Sequence, residues 1–309
     1  MQDPDLDLLI IAAKKAGAIA QKYDFRKLKV WEKDDAAGPV TEADLEIDLM
    51  LSQYLTSARP DYGWLCEEST LDIPHYEKKC SFVIDPIDGT RDFIKGGINW
   101  SHSFSVVKNG KVSAAVVYVP QQGLLFSASL GGGSWLNGDR LQIKAPHKSG
   151  RFDLVAAKLV EDDVIWKPNS KPLFNREHKP SIAFRMATVS QGRYHAMMTL
   201  RDSWEWDICA GSLLISESGG VVVDKYLTEP VFNTEKRKTK GIIAGTKEIV
   251  ELVGSSVNLE IGLDKFVYQR LKFERSVSYC QANTIFTLYC YRLVIKIFIC
   301  HFNIARAEA

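Results

Sequence analysis

Three features predict a mixed α+β and α/β protein. Apolar residues recur at helical spacing near the N-terminus, a period-two alternation broken by turn signals fills residues 100–143, and strands alternate with helices over residues 153–253. The chain has 309 residues, 46% of them hydrophobic, which is enough for a substantial core and for two domains. These are expected at 1–147, an α+β half with an antiparallel sheet, and at 148–262, an α/β half, with an atypical tail over 263–309.

Each element has its own signal. Leu6, Leu9, Ile10, Ala13, Ala16, Gly17 and Ala20 share one helical face while Lys14, Lys15 and Lys22 fall largely on the other, so residues 5–24 form a surface helix. A second helix opens at Thr41, a good N-cap, with Glu42 and Asp44 in the first turn and Leu45, Leu49 and Leu55 continuing the apolar pattern. Residues 61–66 read as a short strand running into Glu67-Glu68-Ser69, and residues 81–88 as a buried strand ending in Asp85 and Asp88. Turn signals at 108–111, 120–123, 131–133 and 137–138 cut residues 100–143 into an antiparallel meander. Residues 145–150, rich in Pro, His, Lys, Ser and Gly, are the expected junction. Beyond them come a strand at 153–157, a helix at 181–189, a strand at 193–199, a helix from Trp204 that closes at Gly219-Gly220, strands at 221–223 and 241–246, and a short helix through Val253. Residues 284–300 are apolar, but Arg292 and Lys296 interrupt them short of the roughly 18 residues that a membrane span requires, so an added tail is expected there.

Bulk properties exclude several function classes. A formal net charge of +1 gives no overall field for nucleic acid or an anionic membrane. The acidic start, Asp3, Asp5 and Asp7, is unlike a secretory leader and points to the cytoplasm. Cysteines at 66, 80, 209, 280, 290 and 300 form no CxxC pair and have no histidine companions at zinc spacing, so they read as reduced thiols.

The chemistry concentrates at Asp85-Pro86-Ile87-Asp88-Gly89-Thr90. Asp-Pro and Asp-Gly are also ordinary turn signals, Asp44 and Asp207 suit the first turn of any helix, and paired acids such as Glu67-Glu68 often sit on a solvated face. If Glu67, Asp85, Asp88 and Asp207 converge, however, their mutual repulsion demands protons or cations. The donors are all hard oxygens, with the Ile87 carbonyl added and no His or Cys, which selects Mg²⁺ or Mn²⁺ over Zn²⁺. Two such ions suit phosphate-ester hydrolysis, one activating a water and the other stabilising the leaving oxygen. Thr90 would relay the water's proton to Asp44 if the two side chains meet, and the Gly89 and Thr90 amides would hold phosphate oxygens.

These residues resemble the inositol monophosphatase family of magnesium-dependent, lithium-sensitive phosphatases. The resemblance rests on four motifs in the family's order: Thr41-Glu42-Ala43-Asp44, Glu67-Glu68-Ser69, Asp85-Pro86-Ile87-Asp88-Gly89-Thr90 and Trp206-Asp207-Ile208-Cys209-Ala210-Gly211. It implies a layered αβαβα sandwich and a homodimer. It also implies two or three Mg²⁺ ions held by Glu67, Asp85, Ile87, Asp88 and Asp207, with Glu67, Asp44 and Thr90 in catalysis. Lys33 lies at the family's distance ahead of Asp44 and is a candidate for a third metal or the phosphate, although a solvated lysine would look the same. Two positions depart from the pattern. Cys66 replaces a common glycine, and Ser181-Ile182-Ala183 stands where many members carry Gly-Ser or Gly-Thr, so substrate contacts are not carried over to that stretch.

Substrate contacts are expected from Asp88, Gly89, Thr90, Arg91, Glu205 and Lys33. Inositol monophosphatases typically continue Thr-Asn-Phe after the glycine, whereas CysQ-type 3′(2′),5′-bisphosphate nucleotidases carry Lys-Glu-Phe; Arg91-Asp92-Phe93 is charged like the second group, and Glu205 points the same way. A small phosphorylated substrate of the inositol 1-phosphate class is the first expectation and an adenosine 3′,5′-bisphosphate the alternative. A third reading follows the family's suppressor-type members, which act on nucleic-acid machinery with catalysis dispensable.

Overall fold

The structure, a computed structural model, describes residues 3–33, 38–69, 75–143 and 150–259. The expected tail at 263–309 and most of the expected junction at 145–150 lie outside the described residues. Sixteen strands and six α-helices are assigned among them. The N-terminal half comprises α1 (Pro4–Ala20), β1 (Val30–Glu32), β2 (Pro39–Thr41), α2 (Glu42–Ala58), β3 (Gly63–Cys66), β4 (Cys80–Asp88), α3 (Thr90–Ile94), β5 (Ser101–Lys108), β6 (Lys111–Val119), β7 (Leu124–Ser129), β8 (Gly133–Leu136) and β9 (Asp139–Arg140). The C-terminal half comprises β10 (Phe152–Ala156), β11 (Phe174–Glu177), α4 (Ile182–Ser190), β12 (Ala196–Thr199), β13 (Ser203–Trp204), α5 (Glu205–Glu217), β14 (Val221–Val223), β15 (Lys238–Thr239), β16 (Ile242–Gly245) and α6 (Lys247–Ser256).

Strands β3 to β9 form one seven-stranded sheet in sequence order, antiparallel except for the β3–β4 pair. The expected meander is its larger part. The strict alternation of side chains along a strand decides what covers each face. On β4, Phe82 and Ile84 enter the core shared with α1 and α2, whereas Val83 between them enters the core shared with α4 and α5. The second sheet, in the order β11-β10-β12-β16-β14, has α4 and α5 on one side and α6 against β16 and β14. The layers are therefore helix, sheet, helix, sheet, helix, an αβαβα sandwich in which α4 and α5 are the shared middle layer. That layer is tight: a Cβ on Gly211 of α5 would lie 2.4 Å from the Met186 Cβ of α4.

Helix α2 corrects one expectation about facing. Ala43, Ile47, Leu51 and Leu55 are fully buried, while Leu45 and Leu49 are 45% and 58% exposed. The four-residue spacing from Ala43 sets the buried stripe, and Leu45 and Leu49 lie about 200° round from it at 100° per residue. Among the described residues, no helix is long and apolar enough to cross a membrane.

Candidate active site

The site begins with a defect in the sheet. Strand β4 pairs with β5 from Cys80 opposite Lys108 to Asp85 opposite Ser103, and the register then shifts before Asp88 pairs with Ser101. One extra residue has entered β4, a bulge, and Pro86, which has no amide to offer the ladder, sits inside it. Its carbonyl is instead bonded by Nδ1 of the fully buried His102. Burial pushes the His102 imidazole down to about 4, so it is neutral and donates through Nδ1–H. The bulge lets Asp85, Ile87 and Asp88 all reach one cleft. Gly89 follows at φ +93°, a conformation that glycine adopts without strain, and a Cβ there would come into van der Waals contact with the Ser181 Cβ and backbone nitrogen at 3.4 Å.

Other elements bring further acids to the bulge. Glu67 stands one residue beyond β3, its amide extending the parallel ladder to the Ile84 carbonyl at 3.1 Å. Asp207 lies in the first turn of α5, and the preceding Trp206 carbonyl accepts from the Ser103 hydroxyl of β5 at 2.8 Å. Glu67, Asp85 and Asp207 each offer a carboxylate oxygen, and these atoms all lie within 4.8 Å of one another. Asp88 lines the same cleft, of about 690 Å³. Its Oδ2 accepts from the Ser181 hydroxyl at 2.6 Å and from the Ala183 amide at 2.7 Å, at the start of α4.

The electrostatics describe a group of acids short of positive charge. Burial, then the charges of Glu67, Asp88 and Asp207, holds the Asp85 carboxyl well above the usual range. Burial, Asp88 and Glu67 do the same to Asp207. Asp88 is raised by burial to about 6, against the two bonds from Ser181 and Ala183. Asp85 Oδ1 is buried without a hydrogen-bond partner. An all-oxygen donor set with an orphaned buried carboxylate oxygen fits a hard divalent cation such as Mg²⁺.

The remaining expected residues fall in different places. Lys33 is not a solvated lysine. Its ammonium bonds Glu67 Oε1 at 2.7 Å and Glu68 Oε1 at 2.5 Å, and although burial opposes its charge, these two carboxylates hold its pKa above the ordinary lysine value. Glu68, which the sequence left without a role, is raised to about 8 by burial and by the charge of Glu67. Asp44 is fully buried and closes a capping box with Thr41, its Oδ2 taking both the Thr41 amide and hydroxyl. Burial lifts its pKa to about 7, and its Oδ1 has no partner. Thr90 does not bond Asp44 in the structure; its hydroxyl donates to the Ile87 carbonyl at 3.0 Å. Gly89, Thr90 and Arg91 line the cleft.

Glu205 corrects an expectation. It is fully buried, does not line the cleft, and its carboxylate is consumed by the Asn233 amide at 2.6 Å and by the Thr234 amide and hydroxyl at 3.0 and 2.5 Å. Asn233 in turn bonds His75, just ahead of β4, and Ser81, at the start of that strand. Glu205 thus ties the helix carrying Asp207 to the segment that leads into the acid-bearing strand. Sequence reasoning also missed Ser181 and Ala183 as partners of Asp88. The signal present was Ser181 as an N-cap ahead of α4, and the cap it makes, to the Phe184 amide at 2.9 Å, coexists with its bond to Asp88.

A five-layer sandwich with a cluster of hard oxygen donors in its cleft places the chain among folds whose acids can hold a divalent cation. Within that group, the chain belongs to the inositol monophosphatase family, whose model matches residues 1–259. Similar curated proteins include the Nus factor SuhB of Xylella fastidiosa, 29% identical over 81% of this chain and 92% of that protein. Another is the inositol-1-monophosphatase of Rhizobium meliloti, 30% identical over 71% of this chain and 85% of that protein. Among solved structures, the extragenic suppressor protein suhB of Bartonella henselae superposes with a TM-score of 0.71 at 27% identity, covering 84% of this chain and 100% of that one. A Thermotoga maritima IMPase superposes at 0.70 and 27%, covering 82% and 98%.

Proposed function

We propose that this chain is a Mg²⁺-dependent phosphomonoesterase that hydrolyses a small phosphate monoester of the inositol 1-phosphate class with a water as nucleophile. The observation that carries the reading is the meeting of Glu67, Asp85 and Asp207 within 4.8 Å in a cleft that Asp88 and Thr90 also line. Glu67, Asp85, the Ile87 carbonyl, Asp88 and Asp207 would hold Mg²⁺ or Mn²⁺. When bound, such a cation acidifies a water and neutralises charge on the departing oxygen. The chain's own residues supply the rest. Asp44, near 7 with a free Oδ1, is matched to take a proton at neutral pH, and Thr90 is the candidate to pass it there if its hydroxyl leaves the Ile87 carbonyl. Ser181 and Ala183 fix the Asp88 rotamer.

A second reading, a 3′(2′),5′-bisphosphate nucleotidase, is supported by Arg91, which lines the cleft just past the phosphate motif. Glu205 no longer supports it. The names of the SuhB relatives describe a role in those proteins, and a binding role for this chain would leave its acid cluster without a purpose. The test is phosphate release from inositol 1-phosphate and from adenosine 3′,5′-bisphosphate. Release is expected with Mg²⁺, abolished by EDTA and depressed by lithium. Absence of release from both substrates would overturn the hydrolase reading.

A further inference from the structure

The bulge in β4 is pinned from both faces of its sheet, and the hydrolytic reading leaves one of the pins without a task. On the face shared with α4 and α5, the Ser101 hydroxyl lies 2.9 Å from that of Ser181, which donates to Asp88 at 2.6 Å. On the opposite face, His102 shares its side of β5 with Phe104 and Val106, which belong to the core under α1 and α2. From there its Nδ1–H reaches the Pro86 carbonyl.

An imidazole is poorly suited to this pocket. It is fully buried, with the rings of Trp100, Phe104 and Tyr118 centred 5.4, 5.8 and 6.1 Å away. The Tyr118 ring is itself seated on Gly17 of α1, where a Cβ would lie 2.6 Å from its Cε1. The neutral ring has a single N–H, which Pro86 takes, and Nε2 is buried without a hydrogen-bond partner. An apolar side chain would fill the same space without that orphaned acceptor. What it would not do is hold the Pro86 carbonyl. Because the peptide is planar, fixing that carbonyl fixes the whole Pro86–Ile87 unit, and with it the direction in which Asp85 leaves on one side and the Ile87 main chain on the other. Ile87 lines the cleft although its side chain belongs to the core under α1 and α2, so its main chain is what faces the cleft.

We propose that His102 is a positioning residue for the metal site: by holding the Pro86 carbonyl it keeps Asp85 and the Ile87 carbonyl facing the cleft, and so sets the cleft's affinity for a divalent cation without touching the cation or the substrate. This rests on the metal-dependent reading above. Asp88 is held separately, through Ser181 and Ala183, so loss of His102 loosens one part of the donor set and leaves the other in place. The consequence is weaker cation binding, not loss of the site.

The test is calorimetry of Mg²⁺ binding to the full chain, native and as His102→Phe, His102→Asn and His102→Gln. Phenylalanine fills the pocket without a donor, asparagine carries an amide nitrogen at the place of Nδ1, and glutamine carries its own one bond further out. His102→Phe should raise the Kd for Mg²⁺ by about tenfold or more, the scale on which partners behind metal ligands act, and His102→Asn should bring it back to within about threefold of native. The Mg²⁺ concentration that gives half-maximal phosphate release should rise in parallel, while kcat at saturating Mg²⁺ falls by less. If His102→Phe does not fold, the two amides decide: a Kd about fivefold or more weaker in His102→Gln than in His102→Asn upholds the proposal, and equal values overturn it. A lower Tm with an unchanged Mg²⁺ Kd in His102→Phe would make His102 a packing residue and overturn this proposal alone. Native protein that binds neither Mg²⁺ nor Mn²⁺ would overturn the metal-dependent reading, and the proposal with it.

Discussion

Asp88 concentrates the residue-scale argument, because one of its oxygens is committed to the fold and the other is left for chemistry. Oδ2 takes two donors from the start of α4, so an amide at this position keeps an acceptor for both while removing a charge from the cluster. Asp88→Asn should therefore fold. Its turnover should fall by about 100-fold or more, on the scale of losses seen when a metal site is perturbed. The metal-free variant should melt at the same temperature as the native protein or higher, since repulsion with Glu67 and Asp85 is relieved, and the rise in Tm on adding Mg²⁺ should shrink. Unchanged activity would remove Asp88 from the ligand set. Asp85, Asp88 and Asp207 were legible in the sequence only in combination, because each alone suits a turn or a helical first turn, whereas four acid-bearing motifs in one family's order have no such separate explanation. Glu205 was misread for a physical reason: the carboxylates of first-turn neighbours two positions apart point in different directions. The long-range partners of Glu205, Asn233 and Thr234, show which way it faces, and nothing local in the sequence encodes them.

At the scale of elements, buried charge also ties helices to the sheet away from the site. Asp3 caps α1 through its Oδ1, bonded by the Asp5 amide at 2.8 Å, and the Asp5 carboxylate gathers Arg59 Nε at 2.9 Å, Lys108 Nζ at 2.8 Å and the Tyr62 hydroxyl at 3.1 Å. This joins the start of α1 to the end of α2 and the far end of β5. Burial opposes the Asp5 charge, but Lys108, Tyr62 and Arg59 outweigh it, and the carboxyl is held below its ordinary value of 3.8. A lowered folded pKa means that the stabilisation is present above the unfolded value and is lost as pH falls through the folded one. Asp5→Asn should cost about 2 kcal/mol at pH 7, less than a fully buried pair because Arg59 and Lys108 stay partly exposed. The difference between variant and native protein should close as the solution is taken below pH 3.8. Denaturant unfolding across that range measures it, and a pH-independent difference would show that Asp5 acts by packing alone. The helix itself was readable from its spacing. The bulge in β4 was not, because Asp-Pro permits a turn, a strand end or a bulge, and the choice is made by His102 and Ser101 on the neighbouring strand.

The whole molecule is held by its middle layer. Helices α4 and α5 cover the inner faces of both sheets, and the residues that brace or supply the site, Ser181, Ala183 and Asp207, stand at their N-terminal ends. The alternation of strands and helices marked only an α/β second half, and the layered sandwich was implied by the family resemblance; its two-faced middle layer requires helices apolar on nearly every side, and α5 runs Ile208 to Ile215 with every residue buried. The edge strand β11 was missed because none of its residues is buried and they carry no apolar alternation. The compact unit ends at Asn258 and the family match at residue 259, and every residue assigned here to the site lies before that point. A chain truncated after residue 259 should therefore remain folded, with its Tm within a few degrees of the full chain and its kcat/KM on the preferred ester within about twofold. A stable truncated protein that binds Mg²⁺ but no longer turns over would mean that residues 260–309 complete the site. A truncated chain that does not fold would mean that the sandwich draws on them for its stability.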